Sequence, residues 1–224
     1  MARKKQDIPA RDAAPSDTAH PFGSRTTLPV HAQTGQPRAA DKIRHTARQL
    51  FYAEGIRAVG VDEIVTKAGV TKPSLYRAFP SKDELAAAYL RDYDAEFWQR
   101  FEARLDAAGR DDPRAGLMDF LQNLGDRSSA ANYRGCGLSN TAVEYPDDHH
   151  PARKVSEDHK RKLRLRLAEL AADMGADDPK QLGDSLMLLI EGAFVTGQIF
   201  HAGGGPARAL VDAAAQMIDS HVKK

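Results

Sequence analysis

The chain has 224 residues, 42% of them hydrophobic, which is enough for one or two small domains with real cores. Its net charge of +1 conceals an uneven distribution: residues 1–85 hold 14 Lys and Arg against 9 Asp and Glu, and the remainder holds 18 against 22. The single cysteine, Cys136, excludes an intrachain disulfide, and no uninterrupted apolar run approaches the roughly 20 residues that span a bilayer.

A basic N-terminal part joined to an acidic remainder suggests that the former meets a polyanion. The extreme N-terminus is basic at Arg3, Lys4 and Lys5, but no apolar stretch follows, so no signal peptide is expected and the expected location is the cytoplasm. Residues 1–37 hold five of the twelve prolines and no apolar periodicity. Residues 1–38 are therefore expected to form a disordered or extended tail.

From residue 39 the pattern is helical. Ile43, Ala47, Leu50 and Phe51 share one helix face, and Gly55 stops that helix. A short helix is predicted over 61–68, with Val61, Ile64, Val65 and Ala68 inward. Gly69 breaks it, and a third helix covers 72–78 before Pro80. Ser81, with Glu84 three residues on, has the capping-box spacing and opens a long fourth helix toward Gly109. Further helices are predicted at about 113–130, 137–145, 151–174, 179–202 and 206–222, separated by Gly, Pro and Asp clusters. Nothing alternates with period two over a useful length, so the chain reads as all-α with about nine helices.

The second and third helices carry the most information. Gly69 takes a sharp turn at little conformational cost, Val70 plugs the angle, Thr71 caps the third helix and Pro73 suits its first turn. Leu75 and Phe79 face inward, so Pro73 and Arg77, flanked by Ser74 and Tyr76, face out. A helix with a polar, basic and aromatic N-terminal edge suits the major groove of DNA.

The segments "ARQLFYAEG" (47–55) and "VDEIVTKAGVTKPSLYRAFPSKDEL" (61–85), with the long helix after them, resemble the tetracycline-repressor (TetR) family of bacterial transcription regulators. The resemblance implies a three-helix DNA-binding domain with a helix-turn-helix at 39–85, and a helical ligand-binding and dimerisation domain at 86–224. Lys72, Pro73, Ser74, Tyr76 and Arg77 match the family's DNA-facing positions. Arg77 can donate two hydrogen bonds to a guanine, Tyr76 suits a phosphate, and Lys82 and Thr71 lie where phosphates meet helix N-termini. Gly60 departs from the pattern by leaving the second helix without a hydroxyl cap, and Ala78 stands where a histidine is frequent. Asp62 places a repulsive charge near the DNA unless it accepts from a cytosine amine.

A lone helix-turn-helix reads one half-site, so dimers read two, about 34–36 Å apart. The expected homodimer surface is on the last two helices, where Leu182, Leu186, Leu189, Ile190, Ala193, Phe194 and Gly197 form one stripe and Leu210, Val211, Ala214, Met217 and Ile218 another. The resemblance also implies a small-molecule pocket among the middle helices. Its expected walls are Phe97, Phe101, Leu117, Phe120, Leu124 and Phe194, with Trp98 at the edge. Asn140, Glu144 and Glu191 are the expected polar members. Cys136 joins them either as a buried thiol or as a redox sensor, the latter requiring exposure and a lowered pKa. "EYPDDHHP" reads as a wet acidic loop rather than a metal site, and "HKRKLRLRL" as a solvated basic face over Leu163 and Leu167.

The sequence lacks a nucleotide-binding glycine loop, an HExxH and a nucleophile pairing, so no catalytic residue, metal or cofactor is expected beyond an unidentified effector. The reading is thus a ligand-responsive, homodimeric DNA-binding repressor that binds double-stranded operator DNA and no membrane. Its alternative is a helical adaptor or small-molecule-binding protein without specific DNA binding.

Overall fold

The computed structural model describes residues 37–109, 112–201 and 205–222. The expected tail at 1–38 therefore lies, but for its last two residues, outside the described residues. Among the described residues are nine α-helices and no strand; Ala176 and Val222 form an isolated bridge.

Helices α1 (Ala39–Glu54), α2 (Val61–Ala68) and α3 (Lys72–Ala78) form the N-terminal unit. Ile43, Ala47, Leu50 and Phe51 are buried as one face of α1, against Ile64 and Val65 of α2 and Leu75 of α3. Complete burial of Ile43, Ile64 and Leu75 contributes on the order of 2 kcal/mol each. The turn between α2 and α3 is closed by Gly69, whose left-handed backbone (φ 63°, ψ 41°) lets the Val70 N–H reach the Val65 carbonyl at 3.0 Å. Thr71 Oγ1 then accepts from the Ser74 N–H, and Pro73 sits in the first turn of α3.

Helix α4 (Lys82–Ala108) has 27 residues and runs for about 40 Å. Ser81 Oγ accepts the Glu84 N–H at 3.1 Å and fixes its start. The sequence-based boundary between 85 and 86 thus falls inside one continuous helix. The first turns of α4 pack on the N-terminal unit and the rest supports α5 (Pro113–Ser128), α6 (Gly137–Glu144) and α7 (Pro151–Asp173). The bidentate pair of Arg48 with Glu96 and the pair of Arg44 with Asp92 tie α1 to α4 from the other side.

Helix α8 (Pro179–Phe200) packs most extensively on α7, then on α9 (Leu210–His221), which follows a 3-10 turn at Pro206–Ala209. Close approach to α7 depends on Gly183, where a Cβ would stand 2.8 Å from the Ala168 backbone nitrogen. By length and apolarity α8 is the one helix among the described residues that could cross a membrane, although Asp184 and Glu191 interrupt its apolar run. Its apolarity divides between two faces. Leu182, Leu186, Ile190, Ala193, Phe194 and Gly197, expected at a dimer surface, are buried within the chain itself. Leu188, Val195 and Ile199 form a different stripe that is 52–74% exposed, with Gly192 open beside them. On α9, Leu210, Ala214 and Ile218 also turn inward. A helix that is apolar on two faces gives the sequence no polar face by which to tell which of the two the core takes.

Candidate functional site

On α3 the inward residues Leu75 and Phe79 are 0% and 9% exposed, and this fixes the opposite edge. Thr71, Lys72, Pro73, Tyr76 and Arg77 are all exposed there, with Ser74 partly so. Tyr76 is 49% exposed, unusual for an aromatic side chain that has no partner to cover it. The Lys72 ammonium lies 2.7 Å from an Asp62 carboxylate oxygen, and this bond holds its pKa above the usual lysine value. Asp62 is therefore neutralised by its neighbour in the free protein, and a phosphate that takes Lys72 must break that pair.

Lys82 behaves differently from its neighbours. It is partly buried, and burial pushes its pKa below the usual lysine value. Its Nζ donates to the Arg57 carbonyl at 3.3 Å, which turns the ammonium toward the α1–α2 turn. The first-turn amides of α4 remain at the same corner.

A cleft of about 250 Å³ lies between the end of α1 and α6. Its α1 wall is made by Phe51, Tyr52, Glu54, Gly55 and Ile56. The α6 wall is made by Gly137, Asn140, Thr141, Val143 and Glu144, and Tyr89, Arg134 and Gln198 complete it. Two sets of hydrogen bonds cross from one wall to the other. Tyr52, buried enough that its phenol is pushed up to about 12, accepts from the Arg134 N–H at 3.0 Å. Glu144 Oε2 accepts the Arg57 N–H at 2.9 Å, while the Arg57 guanidinium donates to the Glu144 carbonyl at 3.3 Å. The cleft is thus built from the support of the helix-turn-helix.

The family model for bacterial regulatory proteins of the tetR family matches residues 43–89. A TetR-type transcriptional regulator of Streptomyces avermitilis is 30% identical, with 79% of this chain and 98% of that one covered at a TM-score of 0.65. The chain belongs to the TetR family. A TetR-family regulator of Streptomyces coelicolor is 28% identical, covering 83% of this chain and 97% of its own, with a TM-score of 0.75. The transcriptional regulator AcuR of Cereibacter sphaeroides is 29% identical over 77% of this chain and 85% of its own length. As a TetR-family protein the chain is a DNA-binding transcriptional regulator, and α2 and α3 are its helix-turn-helix.

Of the residues expected to bind a ligand in this TetR-family regulator, Asn140 and Glu144 line the cleft. Phe97, Phe101, Leu117, Phe120, Leu124 and Phe194 do not; they are buried in the core. The Phe97 and Phe101 rings stack 5.7 Å apart and both meet Phe120 edge-on. Trp98 and His159 close the same aromatic group. Glu191 is spent on Lys160 at 2.6 Å and on the Ser139 hydroxyl at 2.7 Å. Cys136 is 1% exposed with Lys160 Nζ 3.6 Å from its sulfur, so the thiol lacks the access that a sensor requires. In the acidic loop the side chains diverge: Asp148 pairs with Arg153, His150 Nδ1 accepts from the Ala152 N–H, and Asp147 accepts from the His149 N–H. The basic run of α7 is likewise paired, Arg164 with Asp184 and Arg166 with Glu102, while Lys162 lies 4.0 Å over the Trp98 ring.

Sequence reasoning did not single out Tyr52, Arg57, Tyr89 or Arg134. Tyr52 is adjacent to the Phe51 stripe, and Tyr89 recurs at four-residue spacing with Leu85, Tyr93, Phe97 and Phe101 on α4, so both look like plain core aromatics. Their polar ends acquire meaning only when the loop before α6 folds back onto α1.

Proposed function

We propose that the chain is a homodimeric repressor, a regulator rather than an enzyme, which a small molecule releases from its operator. The observation that carries this reading is the shared wall of the cleft: Glu144 lines the cavity and also holds the backbone of Arg57 beneath the helix-turn-helix. A molecule that moves Glu144 moves the support of α2 and α3. Occupants of the cleft and of the DNA edge then oppose each other by one coupling free energy, whichever binds first. The exposed Leu188, Val195 and Ile199 stripe supports pairing through α8, with α9 beside it, and pairing sets two α3 helices at half-site spacing. Tyr76 and Arg77 are assigned to base edges and phosphates, and Lys72, once freed from Asp62, to a phosphate.

The test selects genomic DNA fragments with purified protein, measures affinity against salt, and screens a metabolite panel for release. Steep loss of affinity with salt and release by some metabolite are expected. Salt-insensitive binding, or a panel without a releasing compound while the protein remains monomeric, would refute the reading.

A further inference from the structure

We infer that Asp62 makes the phosphate contact of Lys72 conditional on base sequence. The carboxylate releases Lys72 where a cytosine of the half-site offers its N4 amine, and holds Lys72 back elsewhere. The inference rests on the assignment of Lys72 to a phosphate above and goes beyond it by naming what frees the ammonium.

Lys72, Arg77 and Lys82 are the cations expected at the DNA edge, and they are not equally available. Arg77 is exposed and makes no ion pair among the described residues. Lys82 is partly buried, with its Nζ on the Arg57 carbonyl. Lys72 is exposed, and its Nζ lies 2.7 Å from Asp62 Oδ1. No packing confines that pair, because the two side chains are 52% and 80% exposed. Glu63, the other acid in the first turn of α2, is paired along its own helix with Lys67 at 2.7 Å. Asp62 is thus the carboxylate of α2 that reaches across the corner to the first residue of α3.

The N-terminal half of a recognition helix is the part that reaches base edges, so a carboxylate bonded to Lys72 stands at the major groove when α3 is seated. Non-specific binding rests on cations that neutralise phosphates whatever the sequence. A phosphate that takes Lys72 leaves Asp62 an unpaired charge beside the duplex. The exposed pair is weak in water, but the stranded carboxylate is repelled by each phosphate within a Debye length, about 10 Å at 0.1 M salt. Asp62 therefore opposes the Lys72 contact wherever the groove offers the carboxylate nothing in return.

An ionised carboxylate only accepts hydrogen bonds, so the base that frees Lys72 must present a donor. The major groove presents two kinds, the N4 amine of cytosine and the N6 amine of adenine. On adenine the acceptor N7 lies beside the amine and repels a carboxylate, whereas cytosine has no acceptor of its own in that groove. At a cytosine Asp62 exchanges one partner for another, and Lys72 passes to a phosphate with no charge left stranded. A contact that would be blind to sequence thereby comes to depend on it.

The experiment selects randomised duplexes with the full chain and with Asp62→Ala, then measures affinity for a selected and a random duplex against salt. The wild type is expected to select cytosine at a position of each half-site, and Asp62→Ala to lose that preference while keeping the others. Asp62→Ala is expected to bind the random duplex several-fold tighter, with a salt dependence steeper by about one counterion per subunit. Plain removal of a repelling charge would also tighten binding, so the same substitution is made in Lys72→Met, where the gain is expected to fall by at least half. An unchanged base preference in Asp62→Ala, no tighter binding of the random duplex, or an equal gain with and without Lys72 would overturn the inference. A metabolite that still releases Asp62→Ala from DNA whose base preference is unchanged would overturn it too, while leaving the release reading intact.

Discussion

The backbone N–H of Arg57 donates to Glu144 Oε2 at 2.9 Å, so a residue 87 positions away in sequence closes the turn between the first two helices. The Arg57 guanidinium returns to the Glu144 carbonyl at 3.3 Å and doubles the link. Glu144 is also the last residue of α6, and a shift of that helix is therefore felt first at Arg57.

Glu144→Ala should speed amide exchange at Arg57 and along the start of α2. A hydrogen bond to a charged acceptor is worth about 1.5–3 kcal/mol, and partial exposure of the carboxylate reduces this to about 1 kcal/mol. Exchange measured by NMR should then be roughly five-fold faster at those amides and unchanged on α7. Equal rates in both proteins would show that the turn holds itself.

The DNA-facing edge can be separated from the scaffold that presents it. Tyr76 and Arg77 are exposed, so Tyr76→Ala and Arg77→Ala should alter unfolding free energy by no more than about 0.5 kcal/mol. Operator affinity should fall by about 1–3 kcal/mol wherever the truncated side chain hydrogen-bonds a base edge. Thr71→Ala should do the opposite in part: without the bond to the Ser74 N–H, stability drops by about 1 kcal/mol. Urea unfolding and fluorescence anisotropy on the same three variants check the pattern. Full operator affinity in both Tyr76→Ala and Arg77→Ala would place the DNA on another face.

Pairing through α8 makes its own prediction. Leu188 and Ile199 are 74% and 63% exposed, so Leu188→Glu and Ile199→Glu disturb no intrachain packing. Sedimentation should show a shift from dimer to monomer with the circular dichroism unchanged, and operator binding should weaken because one α3 then acts alone. A variant that remains dimeric would assign the interface elsewhere.

Most of the helices were legible because their boundaries carry a local signal. Gly55 and Gly69 stop α1 and α2, Thr71 and Ser81 cap α3 and α4, and Pro113, Pro151 and Pro179 open later helices. The edge of α3 was legible for a related reason, since burying Leu75 and Phe79 forces Tyr76 and Arg77 outward. The cleft was not, because it is a tertiary product: Tyr52, Tyr89 and Glu144 come from three helices and read as stripe members until those helices meet. An aromatic stripe such as Tyr93, Phe97 and Phe101 on α4 has the same periodicity whether it lines a pocket or fills a core. Here edge-on packing around Phe97 fills it.

His159 gives a pH dependence that can be isolated. The residue is 2% exposed, its Nδ1 lies 2.7 Å from an Asp94 oxygen, and its ring meets Phe97 edge-on at 4.7 Å. Burial pushes the imidazole below its usual value of 6.5, against the pull of Asp94 and together with the charge of Lys160. The folded state therefore keeps His159 neutral at pH values where the unfolded chain protonates it. Stability from this residue is full above about pH 6.5 and is lost as the pH falls, at no more than about 1.4 kcal/mol per unit. Asp94, held below the usual carboxylate value by His159 although burial opposes it, contributes its own loss only in the more acid range near pH 4. Urea unfolding at pH 7.5, 6.5 and 5.5 should show the wild type losing ground to His159→Asn, which keeps a donor for Asp94 but does not titrate. Parallel curves for the two proteins across that range would mean that the imidazole titrates alike in the folded and the unfolded chain, and a wild type that gains on His159→Asn as the pH falls would mean that Asp94 rather than burial sets its state.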